Sequence, residues 1–138
     1  MTGRATATLV DSNVILDVVT RDEEWFDWSA SALARQADAG PLVVNPIIYA
    51  EASARFERIE DLEDALPRDY FRREPLPWEA AFLAGRSYVT YRRRGGQRRS
   101  PLPDFYIGAH ALVAGMTLLT RDPVRYRTYF PNLRLVAS

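Results

Sequence analysis

Four acidic residues are placed where they could act together. Asp11 directly follows the short β-prone run Ala7–Val10. Asp122 follows a second such run, Met116–Leu119, in the stretch Thr120-Arg121-Asp122-Pro123. Glu51 lies on a helix expected to open at Asn45-Pro46, on the face shared by Ile47 and Ile48. Asp104 opens another helix behind Pro101 and Pro103, with Ile107, Gly108 and Ala111 on its side. Each acid has an ordinary explanation when taken singly. Asp11 suits a turn or cap, Asp122 an Asp-Pro turn, Glu51 a buried partner for an arginine, and Asp104 the favourable end of a helix dipole. Together they describe an oxygen-only donor set of the hard kind that suits Mg²⁺ or Mn²⁺. Without a cation, like charges this close would raise one another's pKa values. Such a site fits phosphodiester hydrolysis, in which a metal activates and orients water and neutralises charge on the phosphate.

The elements that must position these acids read as alternating strands and helices. A helix over Asn13–Val19 follows the first strand. Thr20 and Glu23 form a capping-box pattern for a second helix, in which Trp25, Trp28, Ala32 and Leu33 recur at helical spacing before the stop at Gly40-Pro41. Leu42–Val44 is the second strand. A charged helix is expected from Arg55 to Leu66, ended by Pro67, and Tyr70–Pro77 is expected to be extended or irregular. Trp78–Tyr91 reads as a helix running into an arginine cluster interrupted by Gly95-Gly96, and Asp104–Ala114 as one closed by Gly115. Leu133–Val136 is the last strand candidate. Short apolar strands alternating with helices predict a three-layer α/β/α sandwich around a central parallel sheet, with ligands beyond the carboxyl ends of the strands. A chain of 138 residues suits one domain, taken as residues 1–138.

Composition excludes several chemistries. The chain has no cysteine, hence no thiolate metal site, disulfide or cysteine nucleophile. No apolar stretch is long enough to span a bilayer, and the polar start Met1–Thr8 has no apolar signal core, so a cytoplasmic location is expected. All 18 basic residues are arginine and the formal net charge is zero. No acid occurs between Glu79 and Asp104, where Arg86, Arg92, Arg93, Arg94, Arg98 and Arg99 are found. Arg92, Arg93, Arg94, Arg98 and Arg99 could follow an RNA backbone, although charge runs are usually solvated surface. The absence of lysine argues against phosphoacceptor receiver domains and haloacid-dehalogenase-like phosphatases, and the absence of a Gly-rich phosphate loop against P-loop proteins. His110, the single histidine, falls six residues past Asp104 on nearly the opposite helical face, and so reads as packed rather than catalytic. Trp25, Trp28 and Trp78 suit a core or interface better than base stacking.

Val10-Asp11-Ser12-Asn13-Val14-Ile15-Leu16-Asp17 resembles the opening motif of PIN domains, and Asn45-Pro46-Ile47-Ile48-Tyr49-Ala50-Glu51 resembles their second. Pro103-Asp104-Phe105-Tyr106-Ile107-Gly108-Ala109-His110-Ala111-Leu112 is similar to the third, and Leu119-Thr120-Arg121-Asp122 with Tyr126 to the fourth. The resemblance implies a metal-dependent endoribonuclease leaving 5′-phosphate and 3′-hydroxyl ends. Asp11 and Asp104 would be the main Mg²⁺ or Mn²⁺ ligands, Asp122 would complete the site, and Glu51 would hold metal or activate water. Ser12 and Thr120 would steady the site by hydrogen bonding. Among small members the resemblance is to VapC toxins, which implies a homodimer and a VapB-like antitoxin covering the site, often with an arginine. The alternatives are a PIN-fold RNA-binding or assembly module without catalysis, and a PIN nuclease of RNA processing outside a toxin–antitoxin pair.

Overall fold

The computed structural model describes residues 6–138; the polar start Met1–Ala5 lies outside them. Five three- or four-residue strands form one sheet: β1 (Thr8–Val10), β2 (Leu42–Val44), β3 (Phe71–Arg73), β4 (Thr117–Thr120) and β5 (Leu135–Ala137). Its order is β3-β2-β1-β4-β5 and every pairing is parallel. The connections supply seven helices: α1 (Ser12–Val19), α2 (Phe26–Ala39), α3 (Pro46–Ser53), α4 (Ile59–Ala65), α5 (Trp78–Arg93), α6 (Pro103–Ala114) and α7 (Val124–Tyr129). Helices flank the sheet, giving the expected α/β/α sandwich. Parallel strands covered on both faces need apolar side chains pointing both ways. Accordingly, every residue of β1 and β2 is buried. The core joins these strands to Ile48 of α3, Phe105 and Ile107 of α6, and Tyr126 of α7.

The chain first builds outward from β1 through β2 to β3, then crosses back to add β4 on the other side of β1. That reversal places the switch point, and hence the ligand crevice, at the carboxyl end of β1. Register brings the residues just past the strand ends into line. Val10 pairs with Leu119, and Val44 with Arg73. Continuing the ladder by one residue, Asp11 N–H donates to Leu119 O at 2.9 Å and Glu74 N–H to Val44 O at 3.0 Å. Glu74, Asn45, Asp11 and Thr120 therefore stand abreast along the carboxyl edge, about 4.8 Å from strand to strand.

Several boundaries differ from the sequence expectation for identifiable reasons. The Thr20–Glu23 capping box does not form. Thr20 donates its hydroxyl to Leu16 O, Arg21 takes a positive φ of 51°, and Asp22 Oδ1 accepts from the amides of Glu24 and Trp25 at 2.9 Å each. An aspartate turn has won over a threonine cap, and α2 starts only at Phe26. The charged helix is confined to Ile59–Ala65, because the backbone turns over Ala54–Phe56 through i→i−3 bonds. Phe71–Arg73, within the segment read as extended or irregular, is a true edge strand; its arginines hid it, and polar side chains are common on edges. The last strand is Leu135–Ala137 rather than Leu133–Val136, while Asn45 and Gly115 terminate their helices as expected. Trp25 and Trp28 are half-buried and meet edge to face at 6.2 Å, but Trp78 is 88% exposed and belongs to no core. Among the described residues no helix is long and apolar enough to cross a membrane.

An ion pair with a buried carboxylate fastens the helical layer to the carboxyl edge. Arg121, just past β4, grips Asp17 of α1 with two bonds of 2.8 and 3.0 Å. Ser29 of α2 donates to the same carboxylate at 2.7 Å, and the guanidinium lies over the Trp25 ring at 5.3 Å. Asp17 is only 2% exposed. Removing the arginine leaves the buried carboxylate without its cation, so Arg121→Ala is expected to lower stability by about 3 kcal/mol. Arg58→Ala, which removes an exposed pair with Glu60, should cost less than about 0.5 kcal/mol. Urea denaturation of the two variants checks this; equal losses would contradict it.

Candidate metal centre

The site is built around Asp11. Its position at the end of β1 puts the carboxylate at the N-terminus of α1, where one oxygen accepts from Ser12 N–H at 2.8 Å. Its other oxygen, Oδ2, accepts from the Thr120 hydroxyl at 2.8 Å and the Tyr126 hydroxyl at 2.9 Å. Thr120 arrives because β4 is in register with β1, and Tyr126 because α7 packs against α6. That packing requires a residue without a side chain at 108: a Cβ there would lie 2.6 Å from two Phe130 ring carbons and 3.1 Å from Tyr126 Cδ1.

Asp104 and Glu51 complete a group of three. The Tyr126 hydroxyl, 3.3 Å from Asp104 Oδ1, lies between Asp104 and Asp11. Arg125 of α7 reaches Asp104 Oδ2 at 3.1 Å from a half-exposed position. Glu51 accepts from the Ser12 hydroxyl at 3.0 Å, so Ser12 alone holds two of the three acids, Asp11 through its N–H and Glu51 through its hydroxyl. Among the described residues Glu51 has no arginine partner, the alternative its apolar face allowed. Asp104 occupies the first turn of α6, and it also faces the other acids.

Burial pushes Asp11 from the ordinary aspartate range up to about 7; the charges of Asp104 and Glu51 add to this, while the Thr120 and Tyr126 hydrogen bonds oppose it. Glu51 is raised by desolvation and by Asp104, against the pull of Ser12. The Tyr126 phenol is driven well above its ordinary value by burial and then by the neighbouring acids. All three shifts are led by burial, and the neighbouring acids add to each of them. Among the described residues no three acidic or imidazole side chains are arranged to hold an ion as they stand. Asp11 is turned onto hydroxyls, Glu51 onto Ser12 and Asp104 onto Arg125. The donor chemistry nonetheless fits a hard divalent cation: oxygen atoms only, close enough to repel one another, on a rigid edge.

The remaining expected residues fall at graded distances from this group. Asp122 stands at the rim, 73% exposed at its side chain; Asn13 Nδ2 donates to it at 3.3 Å and also lies 3.4 Å from the Thr120 hydroxyl. Asp104, Asp122, Arg125 and Tyr129 line a cleft of about 600 Å³. Arg94 borders it, with its guanidinium 5.4 Å above the Tyr129 ring. Arg92 bonds to the carbonyls of Gly96 and Arg98, folding the arginine loop back on α5, and Tyr91, Phe105 and Tyr129 pack as one aromatic group beneath it. Arg92, Arg93, Arg94, Arg98 and Arg99 are all exposed. His110 is 1% exposed and does not join the acids. Two contributors were not assigned a role from sequence. Asn13 could have been found from its place one turn inside the first motif, whereas Tyr126 shows its function only once α7 is folded.

A PIN domain family model matches residues 8–131, and the chain belongs to that family. No match was found among curated proteins. Among solved structures, the chain is similar to VapBC2 from Rickettsia felis bound to a DNA fragment from their promoter, with TM-score 0.72, 16% identity and coverage of 96% of this chain and 98% of that one. It is also similar to VapBC-1 from nontypeable Haemophilus influenzae, with TM-score 0.70, 18% identity and coverage of 95% and 97%. A third similarity is to FitAcB from Neisseria gonorrhoeae, with TM-score 0.63, 19% identity and coverage of 93% and 95%. At these identities the likeness is one of fold.

The raised Asp11 carboxyl gives a pH signature. In metal-free protein the folded state holds a proton between the ordinary value of 3.8 and about 7 that the unfolded chain has released. Stability from this group therefore falls as pH rises through that window. Asp11→Asn has no such titration, so its melting temperature relative to the parent protein should climb between about pH 5 and pH 8 in chelator. Saturating Mn²⁺ should reverse the order at the higher pH. A difference independent of pH would contradict the assignment.

Proposed function

We propose that this chain is a divalent-metal-dependent endoribonuclease acting as the toxin of a VapBC-like pair. The observation that carries the nuclease reading is the convergence of Asp11, Glu51 and Asp104 at the carboxyl end of β1, with Asp11 buried and, among the described residues, bonded to no cationic side chain. Asp11 and Asp104 would hold Mg²⁺ or Mn²⁺, with Glu51 beside them and Asp122 closing from the rim. The bound ion would supply a water of lowered pKa and charge neutralisation at the scissile phosphate.

The protein's own groups do the positioning. Thr120 and Tyr126 hold one oxygen of Asp11, fixing its orientation, and Thr120 also accepts from Asp122 N–H at 3.1 Å, linking the rim to the centre. Ser12 holds one oxygen of Glu51 and leaves the other free to take a proton from an attacking water. Arg125 lines the cleft in which Asp104 and Asp122 stand and Arg94 lies over the Tyr129 ring at its wall; these two, with Arg92, Arg93, Arg98 and Arg99 of the same exposed loop, would bind RNA phosphates. The toxin reading is supported by the near-complete mutual coverage with the VapBC structures. It brings with it a VapB-like antitoxin covering the site, a homodimer and a cytoplasmic location.

Labelled total RNA incubated with purified protein should be cut into discrete fragments with 5′-phosphate and 3′-hydroxyl ends in Mg²⁺ or Mn²⁺ and left intact in chelator. Asp11→Asn and Asp104→Asn should each lower the rate roughly a hundredfold or more. Failure of folded, antitoxin-free protein to cut any RNA while still binding it would favour a non-catalytic RNA-binding module.

A further inference from the structure

We infer that His110 is a positioning residue: with Asn45 it forms a buried clamp between the helix carrying Asp104 and the helix carrying Glu51, and so sets the separation of those two carboxylates. The functional consequence rests on the metal-centre reading above, whereas the clamp itself rests on geometry alone.

Asn45 is 2% exposed and stands beside Asp11 on the carboxyl edge. Its Oδ1 accepts from Ile48 N–H at 2.9 Å, the bond that caps α3. With the oxygen committed, the other terminal atom is the amide nitrogen, a donor lying 3.0 Å from His110 Nδ1. A donor at that position requires Nδ1 to be a bare acceptor. The imidazole is therefore neutral and carries its proton on Nε2. Burial, which disfavours the charged ring, acts in the same direction against the nearby Glu74.

The orphaned end of the ring shows why histidine stands here. Nε2 is buried without a hydrogen-bond partner among the described residues, and Glu74 Oε1 stops short at 3.9 Å, held by Arg72 through its other oxygen. A buried unpaired N–H is unfavourable, and phenylalanine or leucine would fill similar space without one. The compensation is at Nδ1, the acceptor that Asn45 needs once its oxygen is committed to the cap. The bond crosses from α6 to the first turn of α3. On α6, Asp104 lies six residues before His110, and on the eight-residue α3, Glu51 lies six residues after Asn45. Neither clamp residue has a hydrogen bond to a carboxylate of the centre, so the influence passes through the two helices.

The test is a calorimetric titration of Mn²⁺ into metal-free protein, with melting curves to establish folding. His110→Phe removes the acceptor and should weaken Mn²⁺ binding roughly tenfold. His110→Asn returns an oxygen near the position of Nδ1 and should stay within about threefold of the parent protein. Asn45→Ser keeps a helix cap but removes the donor; it should match His110→Phe, and the double variant should be no weaker than either single one. If His110→Phe does not fold, Asn45→Ser carries the comparison. Ring ¹⁵N shifts of the parent protein should report the neutral Nε2–H tautomer. Unchanged Mn²⁺ affinity in both single variants, or an Nδ1–H tautomer, would overturn the clamp. A parent protein that binds no Mn²⁺ would instead overturn the metal reading. The clamp would then stand or fall on the tautomer and on faster amide exchange at Ile48 in Asn45→Ser/His110→Phe.

Discussion

A carboxylate with almost no solvent, set against two others, is the interaction on which the arrangement of this protein turns. Burying the charge of Asp11 would be prohibitive without partners. The surrounding elements supply them: the first amide of α1, the Thr120 hydroxyl at the end of β4, and the Tyr126 phenol from α7. Each depends on a different part of the fold, namely the strand-to-helix turn, the β1–β4 register, and the close approach of α6 and α7 permitted by Gly108. These donors orient Asp11 but do not discharge it. Arg125 and Arg121, the nearby guanidiniums, are directed to Asp104 and Asp17 instead. What remains is a group of acids in which Asp11, among the described residues, is held by hydrogen bonds alone.

The same edge separates binding from packing. On one side of the acids lies the cleft with Asp104, Asp122 and Arg125, with Arg94 over the Tyr129 ring at its wall. On the other lies the buried polar pair of Asn45 and His110. A chain of zero net charge can therefore still present a positive margin next to an acidic centre. The separation is local, and it is built by placing acid-free sequence between Glu79 and Asp104.

Much of this was legible from residue order, for physical reasons that can be assigned. The strands preceding Asp11, Asn45 and Thr120 are apolar because both sheet faces are covered, so their ends, and the residues placed there, could be read directly. Asn45-Pro46 and Gly115 mark helix ends by backbone chemistry that needs no tertiary context. β3 is not legible in the side-chain pattern because Phe71-Arg72-Arg73 pairs through its backbone at an edge, where that pattern carries little information. The start of α2 was misplaced because two local hydrogen-bonding schemes competed and Asp22 won. Asp17, Tyr126 and the Asn45–His110 bond act over sequence separations of 104, 115 and 65 residues, beyond what local pattern can reveal.

Completion of the buried acid group by a divalent cation is what the proposed function requires. It is tested most directly by counting protons released when Mn²⁺ binds, using calorimetry in buffers of different ionisation heat. With Asp11 raised to about 7, binding at neutral pH must expel a proton from part of the population. Release of about half a proton or more is expected near pH 7, declining toward zero near pH 8.5. Mn²⁺ binding with no proton release at either pH, or no binding at all by folded protein, would contradict it.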